Sequence, residues 1–132
     1  MKTVMAQGTF DLIHPGHLHY FEESAKLGGR LVVVIARDSR VEDRKDLVFD
    51  EEERKKIVGS LEAVDKAVLG SEGDIYSTVE GIDPDIITLG ADQHHSLEEV
   101  KSLAENATDH SVEVQRISEK EGYSSSDIKQ NF

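Results

Sequence analysis

Short apolar runs rich in β-branched residues alternate along this chain with longer stretches of helical periodicity, the pattern of strands and helices joined as βαβ units. Thr3 to Ala6 predicts a first strand and Gly8 to Pro15 a loop. Gly16 to Leu27 predicts a helix that turns Leu18, Tyr20, Phe21 and Ala25 inward and is closed by Gly28-Gly29. The run Leu31-Val-Val-Val-Ile-Ala36 lacks alternation, which predicts a central strand buried on both faces. The polar stretch from Asp38 to Phe49 has no clear period and reads as a loop carrying some local helix.

Asp50-Glu-Glu-Glu53 has the form of a capping box and opens a helix to about Leu61, followed by a third strand from Val64 to Leu69. Ser77 to Gly81 predicts a brief helical turn. The turn residues Asp83-Pro-Asp85 introduce a fourth strand, Ile86 to Leu89. Ser96-Leu-Glu-Glu99 is a second capping box before a helix to about Asn106; Ser111 to Ile117 then supplies a fifth strand and Ser125 to Gln130 a last helix. The expected architecture is α/β and Rossmann-like: a doubly wound, mainly parallel five-stranded sheet with helices on both faces, formed by residues 1–132 as one domain. In such a sheet the ligand site lies beyond the carboxyl ends of the strands, where strand order reverses. Polar clusters fall there: Gly8-Thr9-Phe10-Asp11, Arg37-Asp38, Gly90 to His94, and Gly122 to Ser126.

Composition narrows the partners. The longest wholly apolar stretch is six residues, Leu31 to Ala36, against the ~20 that a spanning helix needs, so no membrane partner is expected. Only Met1-Lys2 precedes the first strand and no leader pattern follows, which makes a cytoplasmic location the expectation. The chain has no cysteine, which removes disulfides, thiolate metal sites and a cysteine nucleophile. Its 27 acidic against 15 basic residues, a formal charge of −12, would repel a nucleic-acid backbone and suit a high-salt cytoplasm, where repulsion between carboxylates is screened.

The chemistry concentrates in Gly8-Thr-Phe-Asp-Leu-Ile-His-Pro-Gly-His17. Neither a phosphate loop ending in Gly-Lys-Ser/Thr nor a Gly-x-Gly-x-x-Gly turn is present. His14 and His17 stand instead three residues apart at a helix start, where backbone N–H groups favour an anion and imidazole can donate to phosphate oxygens. Pro15 suits the first helical turn and Gly16 lets the backbone approach closely. By itself His-x-x-His is equally compatible with two surface histidines or a metal site.

The longer signature, with the Ser-rich turn before the last helix, resembles the cytidylyltransferase-like nucleotidyltransferases. Within that family the chain is similar to glycerol-3-phosphate cytidylyltransferases and, more closely, to archaeal FAD synthases. The latter similarity lies in Val34-Ile-Ala-Arg-Asp38, Val64 to Glu72 and Pro84 to His94. The resemblance implies transfer of AMP from ATP to FMN, with release of pyrophosphate and with help from a divalent cation, Mg²⁺ or Mn²⁺. It implies that Thr9 and Phe10 bind the nucleotide through backbone groups, that His14 and His17 contact the triphosphate, and that Asp92 lies near ribose or metal. Ser124, Ser125 and Ser126 would meet the β- and γ-phosphates, and Lys45 would reach over them. Asp11 either faces the acceptor or its metal or braces the loop; Arg54 either matches a basic family position or pairs with nearby acids.

Two features depart from the pattern. Glu119-Lys120-Glu121 stands where many relatives carry arginine, with Arg116 further back, and the cysteines frequent before the Ser-rich turn in archaeal FAD synthases are missing. The alternatives are a CTP-dependent enzyme acting on glycerol 3-phosphate or a related alcohol, and a nucleotide-binding regulator without turnover. A homodimer is the assembly that analogy with the family suggests.

Overall fold

A computed structural model describes residues 1–41, 47–71, 75–91, 93 and 95–118. Five strands and four helices alternate: β1 (Thr3–Gly8), α1 (Pro15–Ala25), β2 (Arg30–Ile35), α2 (Glu51–Gly59), β3 (Lys66–Leu69), α3 (Ile75–Ile82), β4 (Ile86–Leu89), α4 (Leu97–Thr108) and β5 (Glu113–Arg116). A 3-10 turn at Asp38–Arg40 follows β2. The strands lie in the order β3-β2-β1-β4-β5 and every neighbouring pair is parallel. The last expected helix, Ser125 to Gln130, lies outside the described residues.

Alternation along each strand divides the core in two. Val4, Ala6, Leu31, Val33, Ile35 and Ile86 face α1 and α2, packing on Tyr20, Phe21 and Val58. Met5, Val34, Ile87 and Leu89 face α3 and α4, packing on Val79 and Ala104. The expected burial of β2 on both faces holds: Leu31 to Ile35 are all buried. Asp50 accepts from the Glu53 N–H and Glu53 reaches back to the Asp50 N–H, so the first capping box forms in full. At α4, Ser96 accepts from the Glu99 N–H, the Ser96 half of the second box.

Three expectations need correction. Leu18 does not face the core but is 37% exposed. The buried face of α1 is Tyr20, Phe21 and Ser24, because two polar groups dock it to β4: Tyr20 Oη donates to the Thr88 carbonyl (2.7 Å) and Ser24 Oγ meets Thr88 Oγ1 (2.8 Å). Helix α1 also ends before Leu27, since the following chain folds at once onto the start of β1; a Cβ on Gly28 would stand 2.6 Å from the Lys2 carbonyl oxygen. Finally, the segment after strand three is a full helix, Ile75–Ile82, rather than a single turn.

At the end of the sheet opposite the carboxyl ends, His110 links two loops: Nδ1 donates to the Ser111 carbonyl and Nε2 meets Asp83 Oδ1, each at 2.9 Å. The Ser111 carbonyl, and after it the Asp83 carboxylate, hold the imidazole pKa above its ordinary value. A raised folded-state pKa stabilises the fold below the unfolded value and loses that effect as pH rises through the folded one. Asp83→Asn is therefore expected to lower the unfolding midpoint at about pH 5–6, with the deficit shrinking to nothing above about pH 8. Thermal melts of both proteins across that range check it; a deficit independent of pH would assign the loss to the turn itself.

Candidate active site

Strand order reverses between β1 and β4: the chain runs from β1 outward through β2 and β3, then returns to build β4 and β5 on the other side. The β1–β2 ladder extends to Gly8↔Ile35, whereas β1 and β4 pair only at Val4↔Ile86 and Met5↔Ile87. Beyond Met5 the two strands part, and side chains bridge the opening. Gln7 Nε2 donates to the Thr88 carbonyl (2.7 Å), and Tyr20 Oη accepts from the Gln7 N–H (3.4 Å). This is the crevice that a doubly wound sheet offers to a ligand.

The Gly8-Thr9-Phe10-Asp11 loop turns directly over it. Phe10 adopts φ 53°, a left-handed conformation uncommon outside glycine and asparagine. Its ring folds back over Gly8, where a Cβ would come within 2.6 Å of Phe10 Cζ, so any side chain at this position would displace the ring. The same ring packs edge-on against Phe21 (4.8 Å between centroids) and His17 (5.3 Å). Phe10 thereby anchors the loop in the core and sets the tilt of an imidazole.

His14 is the N-cap of α1, an unusual use of histidine. Its Nδ1 accepts from the Gly16 N–H (3.0 Å), while the His14 N–H donates to His17 Nδ1 (3.4 Å), giving a capping box built of two imidazoles. The rings lie 3.8 Å apart, tilted by 30°. With each Nδ1 accepting from the main chain, a neutral ring carries its proton on Nε2, the tautomer that donates to an oxyanion. The Gly16 amide is thus taken up by His14. Pro15 occupies the first helical turn.

Asp11 is buried, and its carboxylate accepts from the Val48 N–H (2.9 and 3.0 Å) and the Phe49 N–H (3.0 Å). It braces the segment that enters α2, one of its two expected roles. Arg54 is fully buried and ties three segments together. Nη1 donates to the Thr9 carbonyl (2.8 Å), Nε to the Phe49 carbonyl (3.2 Å) and Nη2 to Asp38 Oδ1 (2.5 Å). The ion pair expected of Arg54 thus forms, with a partner after β2 rather than within its own helix. Asp38 and Glu51 exchange main-chain contacts, and Arg37 joins Glu51 (3.1 Å) to the Gly70 carbonyl (2.8 Å). A continuous polar lattice therefore fixes the carboxyl ends of β1, β2 and β3 relative to one another.

Thr9, Phe10, Asp11, His14, Pro15, Gly16, His17 and Arg54 are thus gathered at one end of the sheet. Lys45, Asp92, Ser124, Ser125 and Ser126 lie outside the described residues. The sequence marks Arg37-Asp38 and Gln93 only as members of polar segments after strands and misses Gln7, which carries no motif and draws its importance from the parting of two strands. A neighbouring hollow of about 480 Å³, lined by Asp38, Leu47, Val48, Phe49, Asp50 and Glu53, offers three carboxylates and is a poor place for phosphate. Among the described residues no three His, Asp or Glu side chains converge as a metal site, and no helix is long and apolar enough to cross a membrane.

Known proteins resemble the chain in sequence and in fold. A family model described as Cytidylyltransferase-like matches residues 5–131. The FAD synthase of Halorhabdus utahensis is 46% identical over 93% of this chain and 87% of its own length. That of Picrophilus torridus is 45% identical over 98% and 94%. Among solved structures, a lipopolysaccharide core biosynthesis protein from Thermoplasma volcanium superposes with a TM-score of 0.85 at 46% identity, covering 92% of this chain and 99% of that one.

Proposed function

The chain belongs to the cytidylyltransferase-like family, and from that premise we propose that it is an FAD synthase, a nucleotidyltransferase that moves AMP from ATP to FMN. The observation that carries the chemistry is the imidazole capping box, two rings held by the main chain at a helix start beside the switch crevice. FMN as acceptor is supported by the FAD synthase relatives, which are 45–52% identical.

A phosphate oxygen of FMN attacks the α-phosphorus of ATP in line, the bond to the β-phosphate oxygen breaks, and pyrophosphate leaves. The attacking phosphate is already ionised, so the protein needs no strong general base; its task is positioning and charge stabilisation. His14 and His17 donate from Nε2 to oxygens of the reacting phosphates, where charge accumulates in the transition state. Main-chain groups of Thr9 and Phe10 hold the nucleotide. Asp92, Lys45 and the hydroxyls of Ser124, Ser125 and Ser126 complete its contacts.

Mg²⁺ or Mn²⁺ bound to the triphosphate supplies charge neutralisation. Asp11 and Asp92 would hold such a cation; the Asp11 carboxylate takes two N–H donors and keeps lone pairs for a further ligand. A cytoplasmic setting and a homodimeric assembly complete the proposal.

Purified protein incubated with Mg²⁺ or Mn²⁺, with ATP or CTP, and with FMN or glycerol 3-phosphate is expected to yield FAD and pyrophosphate from ATP and FMN alone, read by mass. CTP consumption with glycerol 3-phosphate would move the chain to the cytidylyltransferase reading. Binding of a nucleotide with no product in any pairing would make it a regulator.

A further inference from the structure

The turn that joins β4 to α4 is gripped from both sides. On the β1 side, Gln93 Nε2 donates to the Gln7 carbonyl (2.7 Å), while Gln93 Oε1 accepts from the Gly90 N–H (3.0 Å) and from Gln7 Nε2 (3.2 Å). On the β5 side, the Arg116 guanidinium reaches three carbonyl oxygens of the same turn. Nη1 donates to Gln93 (2.6 Å) and Gly90 (3.0 Å), and Nη2 to His95 (2.7 Å). Three carbonyls converging on one point repel one another unless a cation stands between them, and the planar fork of arginine meets them better than a compact ammonium does.

Two further facts separate this arginine from an ordinary surface residue. Arg116 ends the edge strand and is solvent-exposed, yet among the described residues its guanidinium meets carbonyl oxygens and no carboxylate, in a chain of formal charge −12. Its partners are all in one turn, the turn that follows the strand bordering the switch crevice. An exposed arginine that served only to join β5 to β4 would find its partners along the ladder.

We propose that Arg116 is a positioning residue for nucleotide binding, acting through the turn from Gly90 to His95, which it shapes against the opposing grip of Gln7. The proposal rests on the reading that this turn borders the nucleotide and adds a residue that does not itself touch substrate. Losing the guanidinium releases three carbonyls and lets the turn relax away from β5. The nucleotide then binds to a less ordered wall, while the polar lattice at the ends of β1, β2 and β3, in which Arg116 takes no part, is left intact.

The test uses the full chain and two variants, Arg116→Gln and Arg116→Lys, with Mg²⁺-ATP and Mg²⁺-CTP titrated calorimetrically, followed by initial rates at varied ATP and FMN. Arg116→Gln is expected to weaken binding of the nucleotide that the parent protein prefers by about tenfold, as a misplaced contact does. The KM for ATP should rise in parallel and that for FMN stay within about twofold. Arg116→Lys should recover part of the loss and the unfolding midpoint should hardly move. Unchanged nucleotide affinity in Arg116→Gln overturns the proposal. So does an equal rise in both KM values, or a variant that no longer folds, since either would make the arginine a general structural tie. A parent protein that binds neither nucleotide overturns instead the reading on which the proposal rests.

Discussion

Replacing His14 by asparagine is expected to lower the rate of FAD formation roughly 10²- to 10³-fold while leaving the unfolding midpoint almost unchanged. On the proposed mechanism the residue has two separable duties. As the N-cap of α1, its Nδ1 accepts from the Gly16 N–H. Asparagine ranks among the best N-caps and presents Oδ1 at about the place of that nitrogen, so the helix start survives. It has no group at the reach of Nε2, and a donor aimed at the phosphates is lost. His14→Ala should show both defects, the same fall in turnover together with about 1 kcal/mol of stability from the missing cap. Steady-state kinetics beside thermal unfolding of the two variants separate the duties. Near-normal turnover in His14→Asn would reduce His14 to a cap and leave the chemistry to other groups.

That double duty shows how far the sequence could be read. Short apolar runs rich in β-branched residues located all five strands, helical periodicity located α1, and the two capping boxes located the starts of α2 and α4. The Asp50-Glu53 box set the start of α2, since its two hydrogen bonds are local and depend on nothing distant. Leu18 defeated the pattern, because apolar character does not decide a helix face when Tyr20 and Ser24 find polar partners on Thr88, more than sixty residues away. The same distance hid the roles of Gln7 and Arg116: neither stands in a motif, and both act through strands that only the completed sheet brings together. His14 and His17 were legible as a pair at a helix start, but not as acceptors for main-chain N–H groups, a matter of ring orientation. Asp11 and Arg54 each left two readings open; the structure shows Asp11 holding the segment before α2 and Arg54 paired with Asp38, contacts that only the folded chain brings together.

Arg54 makes the sharper case. Arg54→Met should destabilise the protein by ~3 kcal/mol or somewhat more, as breaking a buried pair by removing one partner does. For a domain of this size that lowers the unfolding midpoint by about 10 °C. The methionine fills most of the space, so the loss reports the stranded polar groups: the carbonyls of Thr9 and Phe49, and Asp38. Asp38 keeps some contact with water, its side chain being 33% exposed, which holds the expected loss at the lower end of the range for buried pairs. Removing the stranded charge should then help. Arg54→Met with Asp38→Asn is expected to recover about 1 kcal/mol relative to the single variant, because the amide still accepts from the Glu51 N–H without an uncompensated charge. The cycle is read by chemical denaturation of four proteins. If Arg54 instead served the phosphates directly, Arg54→Met would lose turnover at nearly constant stability and the coupling to Asp38 would vanish. A fully buried guanidinium whose hydrogen-bond partners Thr9, Phe49 and Asp38 belong to three different segments argues for the first outcome, with turnover falling because the Thr9 carbonyl, and the loop behind it, loses its anchor.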